Sequence, residues 1–376
     1  MAFYGAARLR KSRGPVLLRM ETMGTVYSDL KFLQFQDHIA AVRDGRVVAP
    51  AHIRLKPTNR CNHNCWYCCY RTDKLVLGED MIEADVIPEA KMTEIVDDIV
   101  DMGVKAVTFS GGGEPLIYKP LPRMIERLAK GGVRVATLTN GVNLKNRVAD
   151  ALAEHATWVR VSIDGWDNAS YTRLRGAGEG EFDRVIANMR AFAARRSACV
   201  LGVSFIVMRE NVNQLHDFCA LMKDVGVHHV KLSGVVVAND VAANNFYHDQ
   251  MAPAARSQID KALGLNDGRF AVIDHYHRLD TRFAKSYTRC PFLLFLTVIG
   301  ADCRVYSCQD KAYTNSGLLG SIRERSFKDF WFSEENRQRI LTLDPSLQCR
   351  HHCVAHHKNL GIFDYLSLEP GHSMFV

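Results

Sequence analysis

Short apolar runs rich in β-branched residues alternate with amphipathic stretches through the first three quarters of the chain. Strand-like runs fall at residues 52–58, 106–111, 133–139, 158–164, 200–207 and 229–236, each short and apolar enough for a buried strand. Between them, residues 88–102, 121–130, 145–155, 182–195 and 212–225 repeat apolar positions at helical spacing, and 251–263 does so after the sixth run. Pro88 and Pro122 stand where helices start, and Gly103, Gly131 and Gly226 where they stop. Six βα units in succession predict a parallel sheet covered by helices. Either a partial barrel or an open doubly wound sheet satisfies the pattern, and in both ligand chemistry gathers at the C-terminal strand ends.

Outside these units the pattern changes. Residues 27–42 allow one helix, with Gly45 as its stop. Beyond about residue 275 turn residues become frequent, one helix is expected over 327–341, and cysteines stand at 290, 303, 308, 349 and 353. The chain divides accordingly into an N-terminal extension (1–50), a βα domain (51–275) and a smaller C-terminal domain (276–376).

The length of 376 residues suits a barrel-sized domain plus a smaller one. Hydrophobic residues at 47% and charged ones at 24% exclude disorder over most of it. The formal charge of +7 is dispersed, so nucleic acid is not implied. The densest basic stretch, Arg8, Arg10, Lys11, Arg13 and Arg19, reads as a solvated face, with a phosphate-binding arm or a transit-like segment as alternatives. The longest apolar run, 291–301, falls short of the ~20 residues that span a bilayer. No secretory signal is visible, and a soluble cytoplasmic protein is expected. Eleven cysteines, an odd number in tight clusters, do not look like a disulfide framework. In a reducing compartment such clusters bind metal more often.

Just past the first strand, Cys61, Cys65 and Cys68 are spaced C-x3-C-x2-C. Soft thiolates at this spacing can wrap one iron–sulfur cube and leave one iron open to the amine and carboxylate of another molecule. A structural zinc site with His63 as fourth ligand is the alternative. Cys69 reads as a small buried side chain, as do Cys199 and Cys219. Further motifs end the next strands. Gly112, Gly113 and Glu114 follow the second, where glycines admit close approach and a carboxylate can accept from an ammonium group. Asn140 ends the third and Ser162 the fourth, and Arg173 and Arg175 follow.

The cysteine spacing and the order of these motifs resemble the radical S-adenosylmethionine (SAM) superfamily. The resemblance implies a partial (β/α)6 barrel with a [4Fe–4S] cluster on Cys61, Cys65 and Cys68, and SAM on the open iron. It implies SAM contacts from Tyr67 near the adenine, Gly112, Gly113 and Glu114 at the amino group, and Asn140 and Ser162 at their strand ends. Arg175, with Arg173 second, would meet the carboxylate. A weaker match places residues 232–235 at the adenine edge. The C-terminal cysteines resemble the SPASM and twitch extensions, which implies an auxiliary [4Fe–4S] cluster on Cys290, Cys308, Cys349 and Cys353. Zinc with His351, His352, His356 or His357 is the alternative there; otherwise these histidines read as polar surface. Cys303 replaces a hairpin glycine of the pattern, and a free thiol there could be catalytic, returning a hydrogen atom to a substrate radical. The implied activity is reductive cleavage of SAM and hydrogen-atom abstraction from substrate, with a flavodoxin or ferredoxin as electron donor. Dehydrogenation or epimerisation of a small molecule is favoured, because about 50 residues precede the barrel. Peptide maturation is the alternative, and a zinc-bearing binding module a distant one.

Overall fold

The computed structural model describes residues 26–276, 283–369 and 371–375. The basic cluster from Arg8 to Arg19 lies outside the described residues. The strands are β1 (His52–Leu55), β2 (Ala106–Phe109), β3 (Arg134–Thr139), β4 (Ala156–Ser162), β5 (Val200–Val207), β6 (His229–Gly234), β7 (Ala271–His275), β8 (Leu296–Ile299), β9 (Arg304–Tyr306) and β10 (Leu318–Ser321). They form one sheet in the order β10-β9-β8-β1-β2-β3-β4-β5-β6-β7. Strands β1 to β7 run parallel, β8 adds to the free side of β1 in parallel, and β9 and β10 follow antiparallel. The six expected strands are present, and β7 and β8 extend their sheet. The C-terminal third thus joins the βα sheet directly, with His52 opposite Leu296 and Leu55 opposite Ile299.

Helices α1 (Gln36–Asp44), α2 (Glu89–Asp101), α3 (Leu121–Lys130), α4 (Asn146–His155), α5 (Asn168–Arg175), α6 (Glu181–Ala193), α7 (Leu215–Val225), α8 (Val241–Asp249) and α9 (Ala252–Leu263) accompany the parallel strands. Helices α10 (Phe327–Trp331), α11 (Glu334–Thr342), α12 (Pro345–Gln348) and α13 (His356–Ser367) follow. Two expected helices are each broken in two. Residues 327–341 divide because the Ser333 hydroxyl caps a new helix by accepting from Asn336 N–H. Residues 27–42 become a 3₁₀ turn, Asp29–Gln34, followed by α1, which Gly45 ends in the left-handed conformation. Among the described residues no helix is long and apolar enough to cross a membrane.

Alternation along the strands sorts the two faces of the sheet. Ile53, Leu55, Val159, Val161, Val203 and Phe205 are fully buried beneath the helices. The opposite positions, His52, Arg54, Trp158, Arg160 and Ser162, are half-buried and point to the concave side. The sheet curls there: Tyr27 packs edge-on against His229 of β6 and His275 of β7 while its hydroxyl accepts from Arg160 of β4 at 2.7 Å. The concave face is thereby a lumen, with charged groups inside and apolar ones outside.

Candidate metal and cofactor site

The loop after β1 carries the first thiol group. Cys68 N–H donates to the Cys65 carbonyl at 3.1 Å, and Arg71 and Thr72 N–H both donate to the Cys68 carbonyl at 2.9 Å. This winds the loop into a tight turn on which Cys61, Cys65 and Cys68 are half-buried. Three neighbouring segments fix it. Asn140 Nδ2 donates to Asn62 Oδ1 at 2.8 Å, Asn64 N–H donates to the Arg175 carbonyl at 2.9 Å, and His63 Nε2 pairs with Glu181 Oε2 at 2.7 Å. Glycines permit the closeness. A Cβ on Gly112 would collide with the Asn59 side chain and one on Gly113 with the Arg60 carbonyl, while one on Gly176 would stand 2.6 Å from the Asn64 carbonyl. His63, the alternative zinc ligand, pairs with Glu181 through Nε2 and leaves Nδ1 without a partner. Burial pushes the Cys61 thiol up to about 11 and raises Cys65 as well. A bound cationic iron centre offsets such a shift by favouring the thiolate.

The remaining expected residues converge on this loop. Glu114 is buried and engaged: Oε1 accepts from Leu116 N–H at 3.0 Å and Thr139 Oγ1 at 2.6 Å, and Oε2 from Asn140 N–H at 2.7 Å. It therefore ties the end of β2 to the end of β3. Arg175 is buried and Arg173 exposed. Arg175 Nη1 donates to Asp164 Oδ2 at 2.6 Å and to the Tyr67 hydroxyl at 3.0 Å, and the Tyr67 hydroxyl also donates to Asp164. Ser162 ends β4 two residues earlier. Beside Tyr67 lies a cavity of about 370 Å³ lined by Trp66, Arg209, Val237, Phe246 and Tyr247, an apolar slot of the kind that takes a flat aromatic ring. Around the loop, Asn59 Oδ1, His63 Nδ1, Ser110 Oγ and Arg175 Nε are buried without a hydrogen-bond partner. Buried polar atoms are rarely left so, and this supply of donors and acceptors fits a polar molecule bound on the loop.

The second thiol group lies at the far side of the lumen. Cys290, Cys308, Cys349 and Cys353 line one cavity with Lys285, Lys311 and His351. Burial raises all four thiols, Cys290 to about 11 and Cys353 to about 12. Asn359 Nδ2 donates to the Cys290 sulfur at 3.4 Å. Ser307 Oγ and His351 Nε2 are buried there without partners. Four thiols with adjacent cations and orphaned donors fit an anionic iron–sulfur group. The histidines are not all polar surface: His356 is buried and stacks on Tyr287 at 5.6 Å. Cys303 stands apart, lining neither this cavity nor the one beside Tyr67. It occupies the β8–β9 hairpin at φ +58°, is 6% exposed, and lies near Lys91, Asp85 and Tyr118. Cys199 and Cys219 are buried in the core, as expected.

A hydrogen-bond chain joins the two thiol groups. Lys56 Nζ donates to the Tyr70 hydroxyl at 2.7 Å and to the Gly111 carbonyl. Gln309 Nε2 donates to the same hydroxyl, and Arg54 Nη1 donates to Gln309 Oε1 at 3.1 Å. Tyr70 lies two residues beyond Cys68, and Gln309 directly follows Cys308. Next to the chain, a lumen cavity of about 450 Å³ is lined by His52, Arg54, Thr108, Cys308, Gln309 and Asp310, among others. Arg54, Tyr70 and Gln309 carry no motif, and Asp164 stands in the turn that ends the fourth strand without any sign of its partner Arg175. The one local signal was the run of charged residues at alternate positions, His52, Arg54 and Lys56, in an otherwise buried strand.

Residues 55–225 match the model of the radical SAM superfamily. A GTP 3',8-cyclase of Rhodococcus opacus is 33% identical over 298 residues, 78% of this chain and 79% of the relative. A GTP 3',8-cyclase of Synechococcus elongatus is 28% identical over 176 residues, 46% of this chain and 51% of the relative. The chain spans about half the length of the first curated relatives it matches. Among solved structures, Streptococcus suis SuiB bound to S-adenosylmethionine shares the fold, with TM-score 0.57 at 15% identity over 84% of this chain and 74% of SuiB. With the cysteine loop at the end of β1 and the glycine and carboxylate motifs packed on it, these matches establish that the chain belongs to the radical SAM superfamily, whose members bind a [4Fe–4S] cluster and S-adenosylmethionine.

Proposed function

We propose that this enzyme removes a hydrogen atom from a small molecule held in the barrel lumen and completes a dehydrogenation. Cys61, Cys65 and Cys68 hold the main cluster in this reading. Tyr67 and the apolar slot beside it receive the adenine, and Arg175, held by Asp164, meets the SAM carboxylate. Gly112 and Gly113 let the amino group approach beside Glu114, Ser162 borders the ribose or carboxylate, and Asn140 stands at the end of β3. When bound and reduced by a flavodoxin or ferredoxin, cluster and SAM together supply a 5′-deoxyadenosyl radical, the hydrogen-abstracting agent. Cys290, Cys308, Cys349 and Cys353 hold an auxiliary [4Fe–4S] cluster in a twitch- or SPASM-like extension.

The observation that carries this reading is the lumen cavity with Cys308 in its wall. An iron–sulfur group held by Cys308 would place an electron acceptor beside a substrate radical there, which would give the oxidised product by passing one electron to that group and one proton to solvent. Epimerisation instead needs a hydrogen-atom donor facing the substrate. Cys303, the thiol considered for that role, is buried in the β8–β9 hairpin and lines no part of this cavity. The test is anaerobic turnover of the reconstituted enzyme with SAM, a reductant and candidate metabolites, GTP among the first because of the relatives' names. Formation of 5′-deoxyadenosine with a product lighter by two hydrogens supports dehydrogenation. A product of unchanged mass that takes deuterium from solvent rejects it for epimerisation, and turnover with peptides alone rejects the small-molecule assignment.

A further inference from the structure

We propose that Lys285 and Lys311 are positioning residues that raise the reduction potential of the iron–sulfur group on Cys290, Cys308, Cys349 and Cys353, and so favour its uptake of the substrate electron. The inference rests on the proposed assignment of that group to these four thiols and names what tunes it.

Both lysines are built into the wall of the thiol cavity. They line it with the four cysteines, and both are buried. Lys285 takes an inward position between Phe283 and Tyr287, which are also buried, while Ala284 and Ser286 are exposed. Its Nζ donates to the Phe283 and His351 carbonyls, each at 2.7 Å. Lys311 follows Cys308 by three residues, and its Nζ donates to the Gln348 carbonyl at 3.2 Å. The two ammonium groups therefore hold the backbone on either side of Cys349. Carbonyl partners fix their positions and leave their charge in place. Among the described residues Lys311 makes no ion pair.

That charge faces sulfur. Burial raises the Cys349 thiol, and of the charges around it Lys311 and then Lys285, which lower it, outweigh either nearby acid, Asp310 or Asp344. Burial lowers Lys285, and Cys353 and Cys349 oppose this more strongly than Asp310 does. At Cys308 and Cys353 burial is joined by Asp310, which works in the other direction, but Asp310 is shared with Arg54 and Lys358. A buried cation is retained where an anion meets it. A [4Fe–4S] group on four thiolates is anionic and gains one further negative charge on reduction. A fixed cation in a desolvated cavity therefore favours the reduced form. The electron concerned is the one the substrate radical gives up, and the group itself is the oxidant.

The test is an EPR-monitored redox titration of the anaerobic reconstituted holoenzyme, the auxiliary signal being the one that SAM leaves unchanged. Lys285→Gln and Lys311→Gln keep a donor for the carbonyl and lose the charge. Each is expected to lower the auxiliary midpoint by about 59 mV or more, a tenfold change in the one-electron equilibrium. Lys285→Arg and Lys311→Arg, which keep the charge, are expected to stay near wild type, as is the exposed control Lys328→Gln. Iron content is measured on the same samples. Unchanged midpoints in iron-replete Gln variants, or equal falls in the Gln and Arg variants, overturn the proposal. Where a Gln variant loses auxiliary iron, the Arg variant at that position decides: iron regained at the wild-type midpoint supports a role for the charge, and any other result overturns it. A wild type with a single titrating cluster would count instead against the auxiliary group on which the inference rests.

Discussion

The Arg175 guanidinium donates to the Asp164 carboxylate at 2.6 Å with both side chains buried, and this pair holds three parts of the candidate site together. Asp164 Oδ1 accepts from Ile206 N–H at 2.6 Å, and the same Arg175 nitrogen reaches Tyr67 on the cysteine loop. The pair therefore locks β4, β5 and the loop to the end of α5. Removing the cation alone leaves a buried carboxylate unpaired, which costs about 3–5 kcal/mol. Arg175→Ala is expected to lose that much stability and to bind SAM weakly. Adding Asp164→Asn should recover much of the stability, by denaturant titration, without recovering SAM affinity, by equilibrium dialysis. Full SAM affinity in the double variant would remove Arg175 from the cofactor site.

In the proposed function the radical chemistry depends on the first thiol group. Replacing Cys61, Cys65 or Cys68 by Ala is expected to abolish 5′-deoxyadenosine formation under reducing conditions, because each leaves the cluster one protein ligand short. A triple variant that still forms it would refute the assignment.

Glu114 satisfies three donors at once, so its loss is structural as well as chemical. Glu114→Ala leaves the Leu116 and Asn140 N–H groups and the Thr139 hydroxyl without their acceptor. A destabilisation of roughly 1–3 kcal/mol is expected from each buried group that finds no other partner. Glu114→Gln keeps one acceptor oxygen and should lie between wild type and Ala in denaturant midpoint. An Ala variant as stable as wild type would show that these bonds contribute nothing net.

Much of this was legible because it is local. Val200–Val207 reads as a strand from its own residues, and the cysteine spacing with the glycines at 112 and 113 announces a loop on which backbone must pack closely. What was not legible is non-local. The pairing of β8 with β1, and the bond from Gln309 to Tyr70 across 239 positions, leave no pattern in either segment. β7 is short and ends in Asp274 and His275, too polar to register as a strand. The capping serine inside 327–341, by contrast, was a readable signal: Ser333 followed by Glu334 and Glu335 marks a helix start.

His52 supplies a pH dependence. Its Nε2 lies 2.8 Å from Thr108 Oγ1, and burial, with Arg54, Lys358 and Lys31 adding to it, lowers its pKa to about 3. The folded chain therefore holds this ring neutral where the unfolded chain protonates it. The resulting stabilisation is complete above the unfolded value near 6.5 and declines as pH falls toward the folded value. The slope is at most ~1.4 kcal/mol per pH unit. His52→Gln should flatten the loss of denaturant midpoint between about pH 6.5 and pH 5. Identical slopes in the two proteins would show that His52 titrates alike folded and unfolded.

The second thiol group and Cys303 are separated by their surroundings. Cys290, Cys308, Cys349 and Cys353 come from three separate segments to one cavity with Lys285 and Lys311 beside it. A cluster on four such thiolates would staple the C-terminal third to the sheet as structural metals do. Ala at any of the four is expected to cut bound iron toward half and to expose residues 283–369 to proteolysis, while the first cluster and its SAM-dependent spectrum persist. Cys303 lies in the hairpin at positive φ with its thiol in the core. Cys303→Ala should therefore keep its iron, and Cys303→Gly should relieve backbone strain there at the expense of a small cavity. Iron and sulfide analysis with Mössbauer spectra of each single variant checks the division. Iron loss in Cys303→Ala equal to that in Cys308→Ala would place Cys303 among the ligands. Retained iron with turnover lost, and with deuterium no longer entering product from solvent, would return Cys303 to the role of hydrogen donor and the enzyme to epimerisation.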